Sequence, residues 1–313
     1  MNPVSRNSVS RRRFLKQGVL TTASAALLAS LPRQVQAKSL AKSTGIQLYT
    51  VSKELSEDLA ETLAKIAAIG YRTVESAGIA GKSAAEFRKA LDDAGLKCPS
   101  SHIFPTPGQS RESFLDVAKT LGSKYVVSSV IFKMEGLKSM DDYVKAILAL
   151  TQDDYKKMAG ELNDLGSKAK SAGLQLAYHN HNMEFHKWAD GRTTYEILMA
   201  ETDPSLVKIE IDCGWADLGG DSPIDLFKKY AGRVKMLHIK DFVAVGHPLT
   251  ELNVREMPES TELGKGHMNY RKILAAAPAA GVEQIFVEQE PPFVKFTALE
   301  AAKADYDYLQ SIA

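Results

Sequence analysis

Eight times after Thr44, a short run of β-branched or aromatic residues precedes a longer stretch with apolar residues at three- and four-residue intervals. The short runs are GIQLYTV, TVESAG, CPSSHIF, YVVSSVIF, LQLAYHNH, VKIEIDCGW, VKMLHIKDF and QIFVEQE. Stretches between them, such as LAETLAKIAAIG and AAEFRKALDDAG, close on a glycine suited to a left-handed helix cap. Strands that alternate with helices lie parallel, and eight such units in a mature chain of roughly 250 residues predict an α/β fold, a (β/α)8 TIM barrel. An open sheet that binds a dinucleotide needs a Gly-x-Gly-x-x-Gly turn after its first strand, and VSKELSED contains no glycine. A Walker loop is also missing. The stretch from Val243 to Asn269, rich in Pro, Gly and charge, is too long for an ordinary connection and is expected to cover the active-site end.

The totals exclude several functions. Of 313 residues, 39 are basic and 38 acidic, a formal charge of +1 that gives no long-range attraction to nucleic acid or anionic lipid. A nucleic-acid partner is therefore not expected. At the N-terminus, SRRRFLKQGVLTTASAALLASLPRQVQA places arginines before a short apolar run and ends on small residues. This resembles a twin-arginine export signal, with domains expected at 1–37 (signal) and 38–313 (barrel) and cleavage after Ala37. The apolar run from Gly18 to Leu31 is shorter than the roughly 20 residues of a spanning helix, so no stable membrane partner is expected after cleavage, and the location is periplasmic or otherwise exported. Cys98 and Cys213 cannot make a disulfide framework and are expected to pack.

Polar residues gather where the strand patterns end. Glu75 ends the second, His102 the third, His179 and His181 the fifth, Asp212 the sixth, His238 and Asp241 the seventh, and Glu288 and Glu290 the eighth. In such a barrel chemistry collects at the carboxyl ends of the strands. His179 and His181 are two apart, so they share a face, while Tyr178 and Asn180 point the other way. Imidazoles and carboxylates converging from several strands suit one divalent metal ion, Mn, Zn, Co or Mg.

IEIDCGW, MLHIKD and IFVEQE together resemble the xylose isomerase-like barrels, and among them the sugar phosphate isomerase/epimerase group, from about Thr44 to the C-terminus. That resemblance implies a metal ion held by one residue each from strands five to eight. By position Asp212, His238 and Glu288 match the last three, and His179 stands where the family usually has glutamate. His179 is then the ligand and Glu184 a substrate contact, with Glu184 as ligand the alternative. The implied chemistry removes a proton next to a carbonyl, through an enediolate, with Glu288 as the proton-transfer group. With His179 on the metal, His181 or Glu184 serves as the second base. Isomerisation or epimerisation of a carbohydrate is the first expectation, and cleavage of a 3-keto-glycoside by a lyase or hydrolase the alternative. A noncatalytic sugar-binding barrel is a third. Glu75, His102 and Lys240 are expected to orient hydroxyl groups, although Lys240 could face the helices instead. Asp241 is expected to hold a ligand in place, and Trp215 either forms a wall against a sugar face or plugs the barrel. The glycines of ELGKGHMNY are expected to make a tight turn.

Overall fold

The computed structural model describes residues 33–103, 110–129, 139–243, 246–250 and 257–313. The segment read as an export signal lies outside them up to residue 32. Arg33 begins a helix that runs unbroken through the expected boundary at Ala37 to Lys42 and packs its buried Ala41 into the outer core. Among the described residues no helix is long and apolar enough to cross a membrane.

All eight expected strands form: β1 (Gly45–Gln47), β2 (Thr73–Ala77), β3 (Lys97–His102), β4 (Tyr125–Ser128), β5 (Gln175–His179), β6 (Val207–Asp212), β7 (Val234–Ile239) and β8 (Gln284–Val287). Each pairs in parallel with its neighbours in the sequence, and β1 pairs with β8, which closes the barrel. Helices between strands start where the sequence supplies caps. Ser83 with Glu86, Thr151 with Asp154, Thr193 with Glu196 and Thr297 with Glu300 each form a reciprocal capping box.

Several strands are shorter than their sequence patterns, and side chains at their ends explain it. The Gln47 side chain accepts the Tyr49 N–H, so GIQLYTV leaves the sheet after Gln47 for a 3-10 turn, Leu48–Val51. Asp212 caps the short helix Cys213–Leu218 by accepting the Trp215 N–H at 2.8 Å, which ends β6 before CGW. The long loop after β7 begins with a two-residue antiparallel ladder, Asp241–Phe242 against Ser260–Thr261. The remainder of YVVSSVIF beyond Ser129 lies outside the described residues.

Alternation along the strands separates two environments. Leu176, Tyr178, Ile209, Ile211, Leu237, Ile239, Ile285 and Val287 pack outward with the helices. Tyr125, Val127, Ala177, Met236 and Phe286 fill the lumen as a separate apolar cluster. Continuing upward by twos from Ala177, Met236 and Phe286 reaches His179, His238 and Glu288, so the apolar layer is the floor of a polar mouth. Cys98 and Cys213 are buried free thiols, as expected.

The loop Glu262–Met268 is tied to the final helix, Ala298–Ile312, by the buried Asp305, which accepts the Leu263 N–H at 2.7 Å. Burial pushes the Asp305 carboxyl up to about 8. Between the ordinary carboxylate range near 4 and about 8, the folded chain keeps a proton that the unfolded chain has lost, so stability falls as pH rises through that window. Thermal melts are expected to show a lower Tm at pH 8 than at pH 5, at about 2–4 °C per kcal/mol, and Asp305→Asn to flatten the dependence.

Candidate metal centre

Four side chains expected to meet do so. His238 Nδ1 lies 3.0 Å from Glu288 Oε2 and 3.9 Å from Asp212 Oδ2. His179 Nε2 lies 3.9 Å from Asp212 Oδ2, and the rings of His179 and His238 are 4.5 Å apart. Asp212 and His238 are fully buried, while Glu288 keeps 7% exposure toward the mouth.

Lys240 joins this upper layer. It sits two residues after His238, shares its face, and is fully buried with Nζ 3.1 Å from Asp212 Oδ2, 2.7 Å from Glu288 Oε2 and 2.5 Å from Glu290 Oε1. A lysine facing the helices is thereby ruled out. Burial opposes its charge, yet Asp212 and Glu288 hold the ammonium well above the usual lysine range. Burial likewise opposes ionisation of Glu288, but Lys240 and His238 hold that carboxyl well below its usual value. Asp212, where burial outweighs Lys240 and His238, is pushed up to about 6.

Beneath it lies a layer that the strand-end reading only partly anticipates. Glu210 faces inward from β6, two residues before Asp212, and its Oε2 is 2.9 Å from His102 Nε2, 3.1 Å from His179 Nδ1 and 3.4 Å from His238 Nε2. Glu75 accepts from the Gln47 amide at 2.8 Å, the Ser100 hydroxyl at 2.5 Å and His238 Nε2 at 2.5 Å. Those bonds use its acceptors on protein groups, so the hydroxyl-orienting role expected for Glu75 gives way to aiming His238. His102, 6% exposed, is similarly engaged between Glu75 and Glu210. Burial disfavours its charge, but Glu75 and Glu210 push His102 up to about 9. Glu210 was legible in principle: the period of two that links His179 to His181 links Asp212 back to it.

The remaining candidates take other positions. Glu184, fully buried, accepts the Tyr178 hydroxyl at 2.7 Å and the His181 N–H at 3.0 Å. Tyr178 faces the helical layer, so Glu184 stands apart from the group, and the reading of it as ligand or substrate contact is corrected. Burial pushes its carboxyl up to about 7. His181 sits at the mouth with its ring 5.1 Å from His179 and 6.0 Å from Trp215, and burial, with Lys240, pushes it down to about 3. Trp215 packs on Phe242, Leu218 and Leu249, with Lys240 Nζ 4.8 Å from its ring centroid. It is both a wall of the mouth and part of an apolar plug. Asp241 holds no ligand. Its carboxylate accepts the N–H groups of Gly264, Gly266 and Met268 at 3.0–3.2 Å, clamping the loop. A Cβ at Gly266 would lie 2.1 Å from Asp241 Oδ1, which explains the glycine in the expected turn.

Among the described residues two donor sets can hold a metal ion: His102, His179, Glu210 and His238 below, and Asp212, His238 and Glu288 above, with the donor atoms of each set within 4.8 Å of one another. Glu210 Oε1 is buried without a hydrogen-bond partner, and Asp212 Oδ2 meets only the Lys240 ammonium, as an ion pair at 3.1 Å. An orphaned carboxylate oxygen beside imidazole nitrogens and further carboxylates fits a divalent cation of the Zn, Mn or Co kind.

A family model described as xylose isomerase-like TIM barrel matches residues 63–312. The inosose dehydratase of Geobacillus kaustophilus is 28% identical over 211 residues, 63% of this chain and 65% of that protein, so the chain spans less than two thirds of its length. The inosose dehydratase of Clostridium botulinum is 26% identical over 251 residues, 74% of this chain and 82% of that one. Among solved structures, a sugar phosphate isomerase/epimerase from Parabacteroides distasonis is 26% identical with a TM-score of 0.67, covering 86% of this chain and 93% of that one.

Proposed function

The chain belongs to the xylose isomerase-like TIM barrel family, and on that premise we propose that it is a divalent-cation-dependent enzyme that removes a proton next to the carbonyl of a sugar or cyclitol ketone. The observation that carries this reading is Glu288: a carboxylate kept ionised in a buried site by Lys240 and His238, at the open edge of a metal-donor cluster. When bound, the cation polarises the carbonyl and offsets the charge that develops as the proton leaves.

Glu288 takes the proton from carbon. Lys240, 2.7 Å away, keeps it ionised until then and hydrogen-bonds to oxygen as charge moves onto the substrate. Glu288 can then return the proton to an oxygen departing from the next carbon on the same face, a syn elimination that needs one acid–base group. Epimerisation needs a second base on the other face. On β5 the family acid is replaced by His179, and His181, with its pKa pushed down to about 3, is a weak base. Elimination is therefore the finer reading, and its likeness to two inosose dehydratases supports it. Isomerisation is the second reading, favoured by the likeness to the Parabacteroides isomerase/epimerase.

The test is product analysis of metal-loaded protein with inososes, free ketoses and 3-keto-glycosides. Loss of water or release of an aglycone is expected. A rearranged sugar with every oxygen retained would replace elimination with isomerisation. The SRRRFLK motif further leads us to propose export by the twin-arginine route, which fractionation of an Arg11→Lys, Arg12→Lys variant tests by its retention in the cytoplasm.

A further inference from the structure

Apolar surface gathers on one sector of the mouth. Of the large apolar residues described, six are exposed, and four of these, Tyr49, Val243, Val294 and Phe296, follow the carboxyl ends of β1, β7 and β8, which are neighbours in the barrel. We propose that this sector is a shelf for an apolar aglycone, so that the preferred substrate is a keto-glycoside bearing an aryl or alkyl group rather than a free ketose or inosose. The inference rests on the reading that Glu288 removes a proton beside a carbonyl, and it names the substrate class for that reaction.

The shelf adjoins the reacting groups. The Gln289 N–H donates to Thr50 Oγ1 at 3.1 Å, which ties the end of β8 to the 3-10 turn that carries Tyr49. Partial burial raises the Tyr49 hydroxyl above its usual range and the charges of Glu290 and Glu288 add to the rise, so the phenol lies within their field. Glu290 in turn pairs with Lys240 at 2.5 Å, and Lys240 with Glu288 at 2.7 Å. Beyond Glu290 the chain reads PPFVKF, in which Phe293 packs against the core while Val294 and Phe296 stay outward at 65% and 42% exposure.

The direction of departure selects the occupant. In a 3-keto-glycoside Glu288 takes the proton from C2, the electrons of that C–H bond form the C1–C2 double bond, and the C1–O bond breaks. The aglycone oxygen keeps the electrons of the broken bond and receives the proton back from Glu288, which yields an alcohol and an unsaturated keto sugar with no oxidant or water consumed. An oxygen protonated by Glu288 leaves on the β8 side, where Tyr49, Val294 and Phe296 lie. Exposed apolar side chains gain by covering an apolar group, whereas the hydroxyls of a free sugar gain nothing from them.

Methyl and benzyl 3-keto-glucosides test the shelf, because their leaving alcohols have nearly equal acidity and differ in apolar area. With metal-loaded protein, kcat/KM is expected to favour the benzyl compound about tenfold or more, and a Val294→Ser, Phe296→Ser variant to bring that ratio within about threefold. Both constants come from one preparation, so a misfolded fraction cancels from the ratio. Equal constants for the two compounds in the wild type, or a preference that survives both substitutions, would overturn the proposal. So would a dimer in sedimentation that the same substitutions dissociate with the ratio unmoved, since a second copy then covers the patch. Uptake of deuterium from D2O by both ketones, with equal rates of alcohol release, removes the shelf alone, whereas uptake by neither removes the proton-abstraction reading and the shelf with it.

Discussion

Glu288→Gln is expected to lower kcat by about 10³-fold, within the range for loss of a general base, while the barrel stays folded. The substitution keeps the shape of the side chain and removes its charge. Glu288 combines an ionised state with exposure toward the mouth, whereas Glu75 and Glu210 are fully buried. Steady-state kinetics with circular dichroism separates this from a folding defect: a rise in KM alone would assign Glu288 to binding.

Lys240→Met is expected to have the largest effect on stability. The ammonium faces Asp212, Glu288 and Glu290 at 2.5–3.1 Å and is fully buried. Removing one partner of a buried ionic group leaves uncompensated charge and costs about 3–5 kcal/mol, which urea unfolding at neutral pH would register. A kinetic consequence accompanies it. Glu288 is held low by Lys240, so without the lysine its pKa rises and the acid limb of the kcat profile moves to higher pH. A variant as stable as the parent with an unmoved acid limb would show that Lys240 does not govern Glu288.

Much of the fold could be read from the sequence because barrel strands carry a strong period and each helix brings its own cap. Asp212, His238 and Glu288 were legible because they sit where three apolar patterns stop. Strand ends were less legible. Gln47 and Asp212 end their strands through their side chains, which accept the N–H groups of Tyr49 and Trp215, although apolar or aromatic residues follow. Glu184 was misplaced because the turn after His181 carries it back to Tyr178, a path that strand alternation does not describe. Glu75 and His102 were found at their strand ends, but their height in the barrel was not legible. Strand stagger sets that height, and the sequence of one strand does not reveal its offset from the next. Glu210 was hidden by position, since it precedes the strand end and resembles an ordinary strand residue until Asp212 fixes which face is inward.

Proton exchange at carbon tests the central claim most directly. Metal-loaded protein incubated in D2O with an inosose, followed by mass spectrometry of recovered ketone and product, is expected to give one deuterium beside the carbonyl. Chelator-stripped protein and Glu288→Gln are expected to give none. Undiminished exchange in either would contradict a mechanism in which a cation and Glu288 act together on that proton.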